Sequence, residues 1–135
     1  MTWSYMNRPY TEAQEQYQGF VYEIYDTKNN RLYIGKKNFW RTQKLKPLKG
    51  KTRRRHRRVE SDWQSYYGSN EELLQQVESL GPDHFHRKIL VLCANKNQMT
   101  YFEMKLQFEY DVLFDDRYYN SYIGGRLTAR GLKNV

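Results

Sequence analysis

A chain of 135 residues and 16.5 kDa is long enough for one hydrophobic core and too short for two. It is polar, with a mean hydropathy of −1.02, yet 16% aromatic with 13 Tyr, a content that excludes a disordered tail. No run approaches the roughly 20 apolar residues of a membrane span, and Met1–Tyr10 lacks the apolar core of a signal peptide, so the expected compartment is the cytoplasm. Cys93 is the single cysteine, which excludes an intramolecular disulfide and an all-Cys zinc site.

The formal charge is +8, and its location is informative. Twelve of the 23 Lys and Arg residues fall within 36–58, which holds no acidic residue; the remainder carries 11 bases against 15 acids. One cationic segment on a mildly acidic domain is the footprint of a phosphate-backbone partner.

In chain order, residues 1–18 read as a polar arm with scattered aromatics and no assigned structure. Gly19–Tyr25 and Arg31–Gly35 are aromatic and β-branched strands around the turn formers DTKNN, an antiparallel hairpin. Alternation puts Phe20, Tyr22 and Ile24 on one face, and a register in which paired numbers sum to 55 sets Tyr22 opposite Tyr33. Pro47 and Gly50 interrupt 36–58, which is expected to be a long basic loop with a short helix near Arg53–Val59. Asp62–Gly68 reads as a helical turn. Ser69 and Glu72 fit a capping box for a helix carrying Leu73, Leu74, Val77 and Leu80, stopped by Gly81-Pro82. Phe85–Leu92 is a central strand, and a second helix is expected over Asn97–Leu113 with Met99, Phe102, Leu106, Glu109 or Tyr110, and Leu113 inward. The fold class is therefore α/β (α+β), a mainly antiparallel sheet of about three strands flanked by helices. The division is an arm (1–18), a domain (19–122) with a basic insertion (36–58), and a basic tail (123–135).

Several side chains could carry chemistry. Tyr22 and Tyr33 read either as cross-strand packing or as two phenols offered to a phosphodiester, with Lys36 placed to favour their ionised form. Glu103 sits at the edge of an apolar stripe, as an ordinary helix glutamate or as a single carboxylate ligand for Mg²⁺. His84 and His86 share a strand face, a weak metal pair; a surface role is the better reading. The cationic segment, with Lys36, Lys37, Arg41, Arg53, Arg54, Arg55, Arg57 and Arg58, lies beside Phe39, Trp40, Trp63, Tyr66 and Tyr67. Cations that track phosphates and rings that stack point to nucleic acid, against a solvated loop or a ribosomal-protein-like extension.

The chain resembles the GIY-YIG endonuclease family, and most closely its small phage-encoded Seg-like members. The resemblance rests on Gly19-Phe20-Val21-Tyr22 as a variant first motif, on Tyr33-Ile34-Gly35 ten residues later, on the run DWQSYYGS, and on the ordered Glu103 and Asn120. It covers Gly19 to Tyr122. It implies a Mg²⁺-dependent (or Mn²⁺-dependent) DNA endonuclease, host-cytoplasmic if phage-encoded. Glu103 would be the metal ligand, Tyr22 or Tyr33 would activate water, and Lys36 and an arginine would stabilise the phosphorane; Asn120 matches an Asn of the family. The family's arginine position falls on Gln43 here. Arg55, Arg57 or Arg58 would replace it, with His56 beside them as a proton acceptor. One such site cuts one strand, so a double-strand break requires a second protomer, as in a homodimer on DNA, or a second event. The alternative is a nucleic-acid-binding module that uses 36–58 and does not cut.

Overall fold

The computed structural model describes residues 2–125, 128–129 and 131–132. Its elements are β1 (Trp3–Tyr5), β2 (Arg8–Tyr10), β3 (Gly19–Asp26), β4 (Arg31–Asn38), β5 (Trp40–Leu45), β6 (Arg55–Glu60), α1 (Glu71–Leu80), β7 (Phe85–Cys93) and α2 (Lys96–Glu109). A five-stranded sheet in the order β2-β1-β7-β3-β4 is antiparallel except where β1 runs parallel to β7. β5 and β6 form a separate two-stranded ribbon.

The sheet is apolar on both faces, and each face has its own core. On one, Trp3, Phe20, Tyr22, Ile24, Phe85 and Ile89 pack with Phe39 and Trp63 against Leu73, Val77 and Leu80 of α1. On the other, Val21, Ile34 and Cys93 pack against Met99, Phe102 and Leu106 of α2 and against Val112. β7 serves both layers through a bulge. Tyr22 pairs with Ile89 while Val21 pairs with Val91, and the extra Leu90 reverses the alternation beside Tyr22. That offset is how the apolar run Ile89–Leu92 feeds two cores.

The expectations for β3, β4, β7, both helices and the turn at Trp63–Ser65 agree with these elements. Five details differ. Residues 3–10 are a hairpin, not an unstructured arm; Met6 and Asn7 both have positive φ (51° and 65°), the two-residue turn that matches strand twist. The β3–β4 register sums to 57, not 55, because Asp26 belongs to the strand and pairs with Arg31. Its buried carboxylate accepts from the Lys28 and Asn29 main chain, from Asn29 Nδ2 and from Tyr119 Oη, and so forms the turn. Residues 40–60 are a ribbon rather than a loop with a helix. α1 is capped by Asn70, whose side chain accepts from Leu73 N, and not by Ser69. Finally, α2 ends at Glu109, and Glu109, Tyr110 and Leu113 are exposed, because Asp111 turns the chain at φ 52°.

Candidate active site

The register places Gly35, not Tyr33, across from Tyr22, and Ile24 across from Tyr33. A two-residue shift preserves the face, so the tyrosines are diagonal neighbours with ring centroids 6.1 Å apart. Tyr22 is fully buried, and among the described residues its Oη has no hydrogen-bond partner. Burial above all, then the neighbouring Tyr66 and Tyr33 phenols, push its pKa well above the usual value. Tyr33 is half-buried; its Oη lies 3.2 Å from Ser69 Oγ, and burial again raises its pKa although the Ser69 contact opposes this.

Tyr33 opens onto a cleft of about 260 Å³, which it lines with Lys36, Ser69, Glu103, Gln107 and Asn120. The cleft lies at the outer edge of β4 and draws residues from both sides of the sheet. Lys36 points toward α2, and its Nζ donates to Thr100 Oγ1 at 2.8 Å. Glu103 is half-buried one helical turn further on. Burial raises its carboxyl pKa, and the Lys36 ammonium partly offsets the rise.

The edge of β4 is closed by the chain that follows α2. Leu32 exchanges main-chain hydrogen bonds with Arg117 and Tyr119. At Ile34 a side chain takes over. Asn120 Oδ1 accepts from Ile34 N at 3.0 Å, its Nδ2 donates to Ile34 O at 2.8 Å, and Gln107 Nε2 donates to the same oxygen at 3.0 Å. Asn120 therefore meets the strand as a further strand would, and its amide is largely committed to Ile34.

The remaining sequence candidates lie elsewhere. Lys37 pairs with Asp62 at 2.6 Å, its Nζ 4.2 Å from the Tyr66 ring centroid. Arg41, Arg53, Arg54, Arg55, His56, Arg57 and Arg58 are exposed on the β5–β6 ribbon and its connecting loop, and none lines the cleft. Arg55 donates to Lys46 O, Arg57 to Gln43 Oε1, and Arg58 to Glu15 O while lying over Trp40. His86 is exposed on β7, and neither it nor His84 reaches the cleft. Sequence reasoning missed Ser69, Thr100 and Gln107. Only Gln107 carried a readable signal, as a helix position one turn beyond Glu103 on the same face.

Among the described residues no three His, Cys, Asp or Glu side chains converge. The cleft thus offers one half-buried carboxylate beside a phenol and an ammonium. This donor set suits a hard divalent ion that takes one or two carboxylates, keeps water, and completes its shell with substrate phosphate. It does not suit a closed zinc site.

A five-stranded, mostly antiparallel sheet with two helices, and a cleft lined by Tyr33, Lys36 and Glu103 at its edge, defines a mixed α/β domain. The family model SegE_GIY-YIG, the GIY-YIG domain of segE-type endonucleases, matches residues 3–123. The chain belongs to this GIY-YIG endonuclease family, whose members are phosphodiester hydrolases that generally use divalent metal ions and act on DNA. Comparison with curated proteins and with solved structures gave no match. No helix among the described residues is long and apolar enough to cross a membrane.

Proposed function

We propose that the chain is a Mg²⁺-dependent DNA endonuclease whose reaction is run by Tyr33, Lys36 and Glu103. The observation that carries this reading is that these three side chains line one cleft although Tyr33 projects from one face of β4 and Lys36 and the α2 residue Glu103 lie on the other. Glu103 would hold the divalent ion, which supplies Lewis-acid stabilisation of the phosphate and the departing 3′ oxygen.

Tyr33 faces the cleft and orients the attacking water. Its raised pKa keeps the phenol protonated at neutral pH, so it acts as a relay, taking the water's proton as its own passes through the Ser69 hydroxyl to solvent at the mouth of the cleft. Lys36, held by Thr100, stabilises the negative charge that develops on the phosphate. Tyr22 sits behind Tyr33 and positions its ring. Asn120 keeps β4, and with it Tyr33, in place. The arginines of the ribbon hold DNA and do not touch the scissile phosphate.

The test is nicking of supercoiled plasmid with Mg²⁺, beside an EDTA control. Glu103→Gln is expected to abolish nicking while retaining DNA in a gel shift. Tyr33→Phe is expected to lower the rate by about 10² or more, as for a lost general acid–base group. Full cleavage by Glu103→Gln would overturn the metal-ligand role.

A further inference from the structure

β5 and β6 pair only with each other, six residues against six from Trp40↔Glu60 to Leu45↔Arg55. An isolated two-stranded ribbon is marginally stable in water, and beyond Trp40, which packs on the core, this one has only the half-buried Leu45 and Val59 as apolar residues. Residues 41–58 contain ten Lys and Arg and no acid, and among the described residues none of the ten forms an ion pair. Five like charges on the two strands and five on the loop that joins them repel one another, and a polyanion laid along them relieves that repulsion.

The two faces differ. Trp40, Thr42, Lys44, His56 and Arg58 share one, by strand alternation and register. It is turned to the body at its root, where Trp40 Nε1 donates to Tyr17 O and Arg58 donates to Glu15 O. The other carries Arg41, Gln43 and Leu45 opposite Val59, Arg57 and Arg55. Arg57 and Gln43 are directly paired, and their side chains are joined at 2.7 Å. Arg and Gln are the residue types that form paired hydrogen bonds to guanine and adenine edges in the major groove.

Reach fits as well. From Lys36 in the cleft to Leu45 at the far end of β5 is nine residues, at most about 30 Å of extended chain. That is less than the roughly 34 Å of one turn of B-DNA. The major groove, about 12 Å wide, admits a two-stranded ribbon, whereas the major groove of A-form RNA does not admit side chains.

Resting on the nuclease reading above, we propose that the β5–β6 ribbon enters the DNA major groove within one helical turn of the cut, with Gln43 and Arg57 toward the base edges and the lysines of the 46–54 loop on the flanking phosphates.

The test is dimethyl sulfate footprinting of guanine N7, a major-groove atom, on a 30-base-pair duplex saturated with the full chain in EDTA. Expected are protected N7 atoms, and binding at least tenfold weaker to a duplex RNA of the same sequence. The double variant Gln43→Ala/Arg57→Ala is expected to lose the N7 protection and to bind DNA about tenfold or more weakly, with an unchanged melting temperature because both side chains lie outside the core. Unaltered N7 reactivity alongside backbone protection from hydroxyl radical would place the ribbon on the phosphates and overturn the proposal, as would equal affinity for duplex RNA. Plasmid nicking by the unaltered chain with Mg²⁺ is scored separately. Groove protection without nicking leaves the ribbon standing and removes the nuclease mechanism, and nicking without groove protection does the reverse.

Discussion

Gly35 and Tyr22 face each other across β3 and β4, and the tyrosine ring lies over the glycine: a Cβ on residue 35 would come within 2.5 Å of Tyr22 Oη and 2.9 Å of Tyr33 Cε2. The missing side chain is what lets two phenols stack diagonally on one hairpin. Gly68 closes the other side, its own Cβ position 3.5 Å from both Tyr22 Oη and Tyr33 Cδ2.

Gly35→Ala should therefore destabilise the fold by about 1–3 kcal/mol, the usual cost of overpacking a core, and displace Tyr33. Because the Tyr22 hydroxyl is buried without a partner among the described residues, Tyr22→Phe should leave stability unchanged or slightly higher. The double variant should recover part of the Gly35→Ala loss. Urea unfolding of the four proteins gives the cycle; strict additivity would show that the clash is not with Oη.

Glu103 gives a pH dependence of known sign. Its folded pKa is raised, so the carboxyl adds most stability when protonated, and that contribution is lost as pH rises through the folded value. Relative to Glu103→Gln, the native chain should lose thermal stability across that window, while metal-dependent nicking rises over the same window as the carboxylate forms. Lys36→Met removes the neighbouring positive charge and should move the acid limb of the nicking profile to higher pH, separately from any fall in its plateau. An acid limb that stays in place would dissociate Lys36 from the carboxylate.

Asn120→Ala should cost about 1–2 kcal/mol, from two main-chain hydrogen bonds lost at a partly buried edge. The distinguishing readout is amide hydrogen exchange. Ile34 should lose protection, while Ile24 on the interior strand keeps it. Equal exchange at Ile34 in both proteins would mean that Gln107 and Tyr119 hold the edge without Asn120.

Cys93 is buried, and burial pushes its thiol up to about 12. In the folded chain it should resist a thiol-reactive dye at pH 8, and it should react fully in denaturant. Rapid labelling without denaturant would show that the β7–α2 layer opens.

How much of this was legible follows from what each segment buries. β3 and β7 could be read because alternating or continuous apolar residues record their surroundings, and the two tyrosines fall on one face in both the expected and the observed register, which differ by two. The register itself was not readable, because Asp26 looks like a turn former and becomes a strand residue only when Tyr119, 93 positions away, donates to its carboxylate. The β5–β6 ribbon was invisible for a different reason: it buries almost nothing, so its pairing left no periodicity among Lys, Arg, Gln and Thr. The first hairpin went unread because its two turn positions are Met6 and Asn7, of which only Asn7 is a turn former. In the cleft, Tyr33, Lys36 and Glu103 were found by residue type and order. Ser69 and Thr100 were missed because contacts between distant elements leave no local pattern, and Gln107 was missed although it falls one turn beyond Glu103 on the same helix face.

The parallel pairing of β1 with β7 bears on how the protein is made. Trp3 leaves the ribosome well before β7, yet its buried indole packs on Phe20 and Tyr22 and donates to Trp63 O. Until Cys93 has emerged, β3 lacks one of its two neighbours and the first hairpin has no sheet to join. The nascent chain must therefore carry a run of bare aromatic rings until β7 has been made, and the β4 edge, closed by Arg117, Tyr119 and Asn120, is assembled later still.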